Sequence, residues 1–112
     1  MGQVLNKKDI VLIPFPFSDQ TGFRKRPALV ISHDSFNKNS LDVIVCPVTS
    51  NIDREYSVII GKADWKEGVY TESCVKYGYL LTIEKSIVLK KIGRLSSDKF
   101  RKVVNGINKI IK

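Results

Sequence analysis

Histidine and cysteine are almost missing from this chain, which holds one histidine and two cysteines in 112 residues. No Cys-x-x-Cys pair occurs, so a zinc or iron site has no ligand set, and neither a metal nor a cofactor is expected. Cys46 and Cys74 sit inside apolar runs (VIVCPV and ESCV). In that setting they read as small buried hydrophobes rather than a disulfide. Long apolar runs are lacking as well, and none approaches the roughly 20 residues that span a bilayer. The opening residues, Met-Gly-Gln-Val-Leu-Asn-Lys-Lys, have no apolar stretch and no small-residue cleavage site of the secretory kind. The expectation is a cytoplasmic protein with no membrane partner. Internal repeats, low-complexity tracts and linkers are absent too. Residues 1–112 therefore read as one domain of ordinary size.

Acidic residues are scarce relative to basic ones: eleven Asp and Glu stand against nineteen Lys and Arg, a net charge of +8. Such a field concentrates polyanions and speeds their encounter. Nucleic acid is the commonest polyanion, although acidic proteins and membranes also meet basic surfaces. Clusters fall at Lys7-Lys8, Arg24-Lys25-Arg26, Lys90-Lys91 and Lys99–Lys102.

The apolar pattern is strand-like over most of the length. Asp9–Phe17 is rich in Val, Ile and Phe, and its two prolines confine the second half to an edge or a bulge. Pro27–Ser32 and Leu41–Val48 are short continuous apolar runs, the signature of buried strands. Tyr56–Ile60, Glu72–Lys76, Tyr79–Ile83 and Ile87–Ile92 are further strand candidates. Turns are expected at Asp19–Gly22, Asn37–Ser40, Asn51–Arg54, Gly61–Gly68 and Gly78. Short strands at regular spacing argue for a small barrel or a curled sheet. Toward the C-terminus, Phe100, Val103, Val104, Ile107, Ile110 and Ile111 recur at helical steps. Ser96 or Ser97 serves as N-cap, Asp98 and Lys109 suit the two ends of the dipole, and Gly106 costs the helix about 1 kcal/mol against alanine. A further turn of helix is expected at Ser35–Lys38.

Several segments in order carry a family resemblance. Lys8-Asp9-Ile10-Val11-Leu12, Lys25-Arg26-Pro27-Ala28-Leu29-Val30-Ile31 and Val45-Cys46-Pro47-Val48-Thr49-Ser50 are followed by Ser73-Cys74-Val75-Lys76, Thr82-Ile83-Glu84-Lys85 and Lys91-Ile92-Gly93-Arg94-Leu95-Ser96. This set resembles the PemK/MazF family of type II toxins, and the likeness spans nearly the whole chain. It implies a mainly β (α+β) fold, a small SH3-like barrel with a C-terminal helix. It also implies a metal-independent, sequence-selective endoribonuclease acting on single-stranded mRNA, a homodimer, and an acidic antitoxin as partner. A non-catalytic toxin of the gyrase-inhibiting CcdB kind, or an RNA- or DNA-binding module, is the alternative for the same fold.

By spacing alone Arg26 is one more solvated arginine in a basic triplet, and Thr49 opens a turn through side-chain-to-backbone bonds. The resemblance places the family's catalytic arginine and threonine on these two positions. Arginine's planar, permanently charged fork matches two phosphate oxygens. RNA contacts are expected from Ser18, Asp19, Arg24, Lys25, Ser50, Lys76, Tyr77 and Tyr79. The tyrosines suit stacking on unpaired bases and suit a barrel core equally well. Where many members continue with Asp-Gln and then Arg, this chain has Gly78, Tyr79 and Leu81. His33 is the sole histidine, whereas metal-free RNases built on histidine need two proton-transfer groups, so Asp19 stands beside it as a candidate base.

Overall fold

The computed structural model describes residues 4–15, 24–52, 54–68, 70 and 72–112. Their elements are β1 (Asp9–Phe15), β2 (Arg24–Val30), α1 (Asp34–Asn39), β3 (Asp42–Thr49), β4 (Ser57–Ile60), β5 (Trp65–Gly68), β6 (Ser73–Lys76), β7 (Leu81–Glu84), β8 (Lys90–Leu95) and α2 (Ser97–Ile111). Single turns of 3-10 helix occupy Lys62–Asp64 and Lys85–Ile87. The strands run antiparallel in the order β4-β6-β3-β2-β1-β8-β5, and β7 pairs with β3 off that path. The result is a nearly closed antiparallel barrel with a C-terminal helix, as expected.

Strands β2 and β3 read as continuous apolar runs because both of their faces are buried. On one face Leu29, Cys46 and Val48 join Ile10, Ile60, Val75 and Leu95 against Phe100, Val103 and Ile107 of α2. On the other, Ala28, Val30, Val43 and Val45 join Val11 and Ile13 against Leu5 and Val88. Both cysteines are buried free thiols. Burial pushes the Cys46 thiol up to about 12, because a thiolate there would lose its hydration.

Pro14 stands in the half of β1 that pairs on one side, and Pro16 and Phe17 of the expected strand lie outside the described residues. Ile10–Leu12 pairs with β2 on one side and β8 on the other, with a bulge between Ile10 and Val11 on the β8 side; Asp9 pairs with β8, whereas Ile13–Phe15 pairs with β2 alone among the described residues. Asp9, on the paired half, is buried. It accepts from the Asn6 N–H at 2.8 Å and from the Arg94 guanidinium at 3.0 Å, and lies 3.3 Å from the Lys91 ammonium. Its charge is thus compensated by partners from β8, which offsets its desolvation.

Helix α2 starts as the capping signal indicates, with Ser96 Oγ accepting from the Lys99 N–H. Gly106 has a packing reason: a Cβ there would lie 2.6 Å from the Tyr77 ring. Tyr77 rests on the bare helix backbone and meets Tyr56 edge-on at a centroid distance of 6.4 Å. Its ring is therefore committed to packing.

Four local expectations need correction. Gly61–Gly68 is not one turn, since it holds a 3-10 turn and then β5, whose ladder partner is β8. Gly68 closes this strand at φ +87°, where a Cβ would strike the Ile92 carbonyl oxygen at 1.6 Å, so only glycine fits. Asn37 belongs to α1 rather than to a turn, and is buried with its Nδ2 donating to Leu5 O (3.2 Å) and Ser32 O (3.0 Å). Strand β7 runs Leu81–Glu84 rather than Tyr79–Ile83. Strand β8 begins at Lys90, after the second 3-10 turn, rather than at Ile87. The expected Asp19–Gly22 turn lies outside the described residues.

Candidate active site

The register between β2 and β3 builds the site. Val30, Leu29 and Ala28 pair with Val45, Cys46 and Pro47, and there the ladder stops. Continued for two more residues, it would set Arg26 opposite Thr49. Instead β3 leaves β2 and pairs Val48 and Thr49 with Val75 and Cys74 of β6. Pro47 and Pro27 stand at the point of departure, and neither has an N–H to donate to a ladder. The splayed strands leave a pocket of about 340 Å³ lined by Lys25, Arg26, Thr49, Ser50 and Ser73 over an apolar wall of Leu12, Val48, Trp65 and Ile92.

The strand expected at Pro27–Ser32 instead starts at Arg24, so Arg26 is the third residue of β2, paired with Ile13. It is half-buried, and its guanidinium has no hydrogen-bond or ion-pair partner among the described residues. A rigidly based, partly desolvated cation without a protein anion is suited to an external one. Thr49 Oγ1 accepts from the Asn51 N–H at 3.1 Å. The expected turn-opening bond is thus real, and it leaves the hydroxyl proton able to donate into the pocket.

Thr49 is shared with a second, shallower concavity of about 320 Å³, lined also by Pro47, Asn51, Lys76 and Tyr79. Tyr79 is 61% exposed, and the Lys76 ammonium sits 5.5 Å from its ring centroid. Arg26, Lys25, Thr49, Ser50, Lys76 and Tyr79 therefore line two adjoining hollows, whereas Tyr77 packs on α2. Arg24 starts β2, paired with Phe15 at the strand end. Ser18 and Asp19 lie outside the described residues. His33 lines neither hollow. It caps α1, its Nδ1 accepting from the Ser35 N–H at 3.1 Å.

The family model for the PemK-like, MazF-like toxin of type II toxin-antitoxin systems matches residues 6–111. The chain belongs to this PemK/MazF toxin family. It is a type II toxin by that membership. Among solved structures it is similar to the toxin of a MazE–MazF crystal structure from Deinococcus radiodurans, with a TM-score of 0.81, 20% identity, and coverage of 97% of this chain and 96% of that one. An endoribonuclease from a mycobacterial species aligns with a TM-score of 0.77 at 14% identity over 97% of this chain and 92% of the other. An endoribonuclease in complex with its cognate antitoxin, also mycobacterial, gives 0.76 at 15% identity over 96% and 92%. At these identities the structures establish the fold. No curated protein matches the chain significantly.

In this PemK/MazF toxin, sequence reasoning missed Trp65, Ser73 and Asn51 as site residues. Trp65 and its neighbours read as a turn, and Ser73 and Asn51 carry no signal beyond their polarity. No helix among the described residues is long and apolar enough to cross a membrane, and no group of three or more His, Cys, Asp or Glu converges there.

Proposed function

We propose that this toxin is a metal-independent endoribonuclease that cuts single-stranded mRNA in the cytoplasm. The observation that carries the reading is a half-buried Arg26, without a partner among the described residues, lining one pocket with Thr49 where the strands splay, in a protein of net charge +8.

The scissile phosphate binds between these two side chains. The 2′-hydroxyl passes its proton to water as its oxygen attacks phosphorus, the P–O5′ bond breaks, and the departing 5′-oxygen takes a proton from water, so the products are a 2′,3′-cyclic phosphate and a 5′-hydroxyl. Arg26 holds the phosphoryl oxygens, whose negative charge grows in the transition state, and a preorganised donor of this kind contributes ~10²–10³-fold. Thr49, fixed by its bond from Asn51, donates its hydroxyl to the same phosphate. Lys25 and Ser50 add contacts to the backbone. The exposed ring of Tyr79, braced by Lys76 in the adjoining hollow, stacks on a flanking unpaired base. Tyr79 and Gly78 replace the family's usual Asp-Gln, so stacking takes over where other members present a carboxylate.

Activity is held in check by an acidic antitoxin that competes for the same basic hollows, and the active species is a homodimer. A flexible acidic segment is attracted by the basic surface and captured quickly. The test is incubation of the purified protein with a long single-stranded RNA in the presence of EDTA, followed by mapping of fragment ends. Recurrent cuts that leave cyclic phosphate ends support the reading, and intact RNA that is nonetheless bound would make the chain a binder without catalysis.

A further inference from the structure

Cutting RNA by the proposed route moves two protons, and the 5′-oxygen leaves slowly unless one of them reaches it. The pocket shared by Arg26 and Thr49 is short of groups that could deliver it. Among the described residues no His, Asp, Glu, Cys or Tyr lines this pocket. The hydroxyls of Thr49, Ser50 and Ser73 are alcohols, no more acidic than the one that leaves. A guanidinium does not give up a proton in proteins, which sets Arg26 aside. Lys25 remains, the other cation of the lining. It is exposed, so water reaches its ammonium, and it makes no ion pair among the described residues. Its place on β2 also differs from that of Arg26. Lys25 and Pro27 share one face of the strand, and Pro27 pairs with Leu12 of the pocket's apolar wall. Arg26, between them, leaves the strand on the opposite face.

We infer that Lys25 is the general acid of the proposed cleavage, giving an ammonium proton to the departing 5′-oxygen. The inference rests on the proposed RNA-cutting function and deepens it by assigning a further catalytic residue. Two cations on opposite faces of one strand are placed to meet different oxygens of a phosphate in the pocket they both line. Arg26, planar and permanently charged, takes the two non-bridging oxygens. Lys25, a single point of charge on a flexible stem, suits the one oxygen that leaves. As O2′ bonds to phosphorus, the P–O5′ bond breaks with its electron pair on O5′. An N–H proton of Lys25 passes to that pair, and the neutral amine regains a proton from water. The proton that water supplies thus reaches the 5′-oxygen through Lys25. An ammonium is a far stronger acid than the alcohol it creates, so the transfer runs downhill as the bond breaks.

The test replaces the leaving oxygen by sulfur. A thiolate departs without a proton, so an enzyme stripped of its acid recovers on the sulfur ester alone. The probes are the oligonucleotide spanning the cleavage site found by end mapping and its twin with sulfur in place of the scissile O5′. Each is cut under single-turnover conditions with EDTA present. Lys25→Gln should lose about 10²-fold on the oxygen ester, the scale of one proton transfer, and only a few-fold on the sulfur ester. Lys25→Arg keeps the charge without a releasable proton, and should show the same split. Arg26→Ala should lose on both esters, because charge at the non-bridging oxygens grows with either leaving group. Near wild-type cutting of the sulfur ester also shows that a variant is folded, and Lys25→Arg decides the matter where Lys25→Gln does not fold. Equal losses by Lys25→Arg on the two esters make Lys25 a phosphate contact only and overturn the inference. So does a Lys25 variant that cuts the oxygen ester at the wild-type rate. If the wild-type protein cuts neither ester, the proposed function itself fails and the inference falls with it. A wild-type protein that cuts only the sulfur ester has no acid, which removes the inference alone.

Discussion

Replacement of Arg26 by alanine should separate the proposed catalysis from folding, because the side chain has no partner to orphan among the described residues. Its guanidinium makes no hydrogen bond or ion pair among the described residues, so alanine strands no carboxylate among them. What the free protein loses is the packing of a partly buried aliphatic stem, worth about 1 kcal/mol or less. Removing one positive charge from a +8 chain lowers self-repulsion and partly offsets that loss. The proposed cleavage should depend on the same group far more heavily. Loss of one preorganised charge stabiliser costs ~10²–10³ in rate, about 2.7–4 kcal/mol. The loss should fall on the rate constant more than on binding, since the charge at phosphorus grows toward the transition state. Arg26→Lys should recover only part of it, because an ammonium cannot reproduce the two-pronged contact. The assay is single-turnover cleavage of a labelled RNA with EDTA present, beside thermal unfolding followed by circular dichroism. A folded Arg26→Ala protein that cuts within a few-fold of wild type would refute the assignment. So would a rate loss matched by an equal loss in the fraction folded.

Other consequences can be measured independently. Gly106→Ala should destabilise by about 1–2 kcal/mol despite alanine's better helix propensity, because its Cβ meets the Tyr77 ring at 2.6 Å. In a Tyr77→Ala background the same change should stabilise, and urea unfolding of the four proteins shows whether the sign reverses. Burial raises the Cys46 thiol from 9.0 to about 12, so the unfolded chain ionises first as pH rises. Stability relative to Cys46→Ala is thus fully present below the unfolded value of 9.0 and falls through the window up to about 12, by ~1.4 kcal/mol per pH unit at most. A flat difference between the two proteins' urea midpoints across that window contradicts the thiol's burial. Cleavage should persist in EDTA, while RNA binding should weaken with salt at a slope near −0.7 per phosphate contact, and Lys25→Ala should lower that slope by about one contact. Light scattering at micromolar concentration should give twice the 12.7 kDa chain mass, and a strictly monomeric protein that still cuts RNA eliminates the dimer.

Some of this molecule is written locally in its sequence. Strands β2 and β3 are legible because chains buried on both faces need uninterrupted apolar residues, as Ala28–Val30 and Val43–Cys46 supply. Helix α2 is legible because its apolar period and its Ser96 cap act within a few residues of each other. The basic charge is legible from composition alone, whereas Arg26 and Thr49 stand out as candidates through a motif likeness rather than local physics. Strand β5 is not legible. Trp65-Lys66-Glu67-Gly68 has no alternating pattern and ends in glycine, and it is extended because β8 offers a ladder and Ile92 leaves no room for a Cβ at Gly68. Tyr77 and Tyr79 are equivalent in the sequence, and Gly106 on a distant helix decides that the first packs while the second stays exposed. The site itself is wholly tertiary. Arg26 and Thr49 line one pocket because the β2–β3 register aligns them and then breaks at prolines, and Trp65 joins the same lining from β5, which pairs with β8. Periodicity and capping act along the chain and can be read there, whereas register and close approach act between segments distant in sequence and are fixed only when the barrel forms.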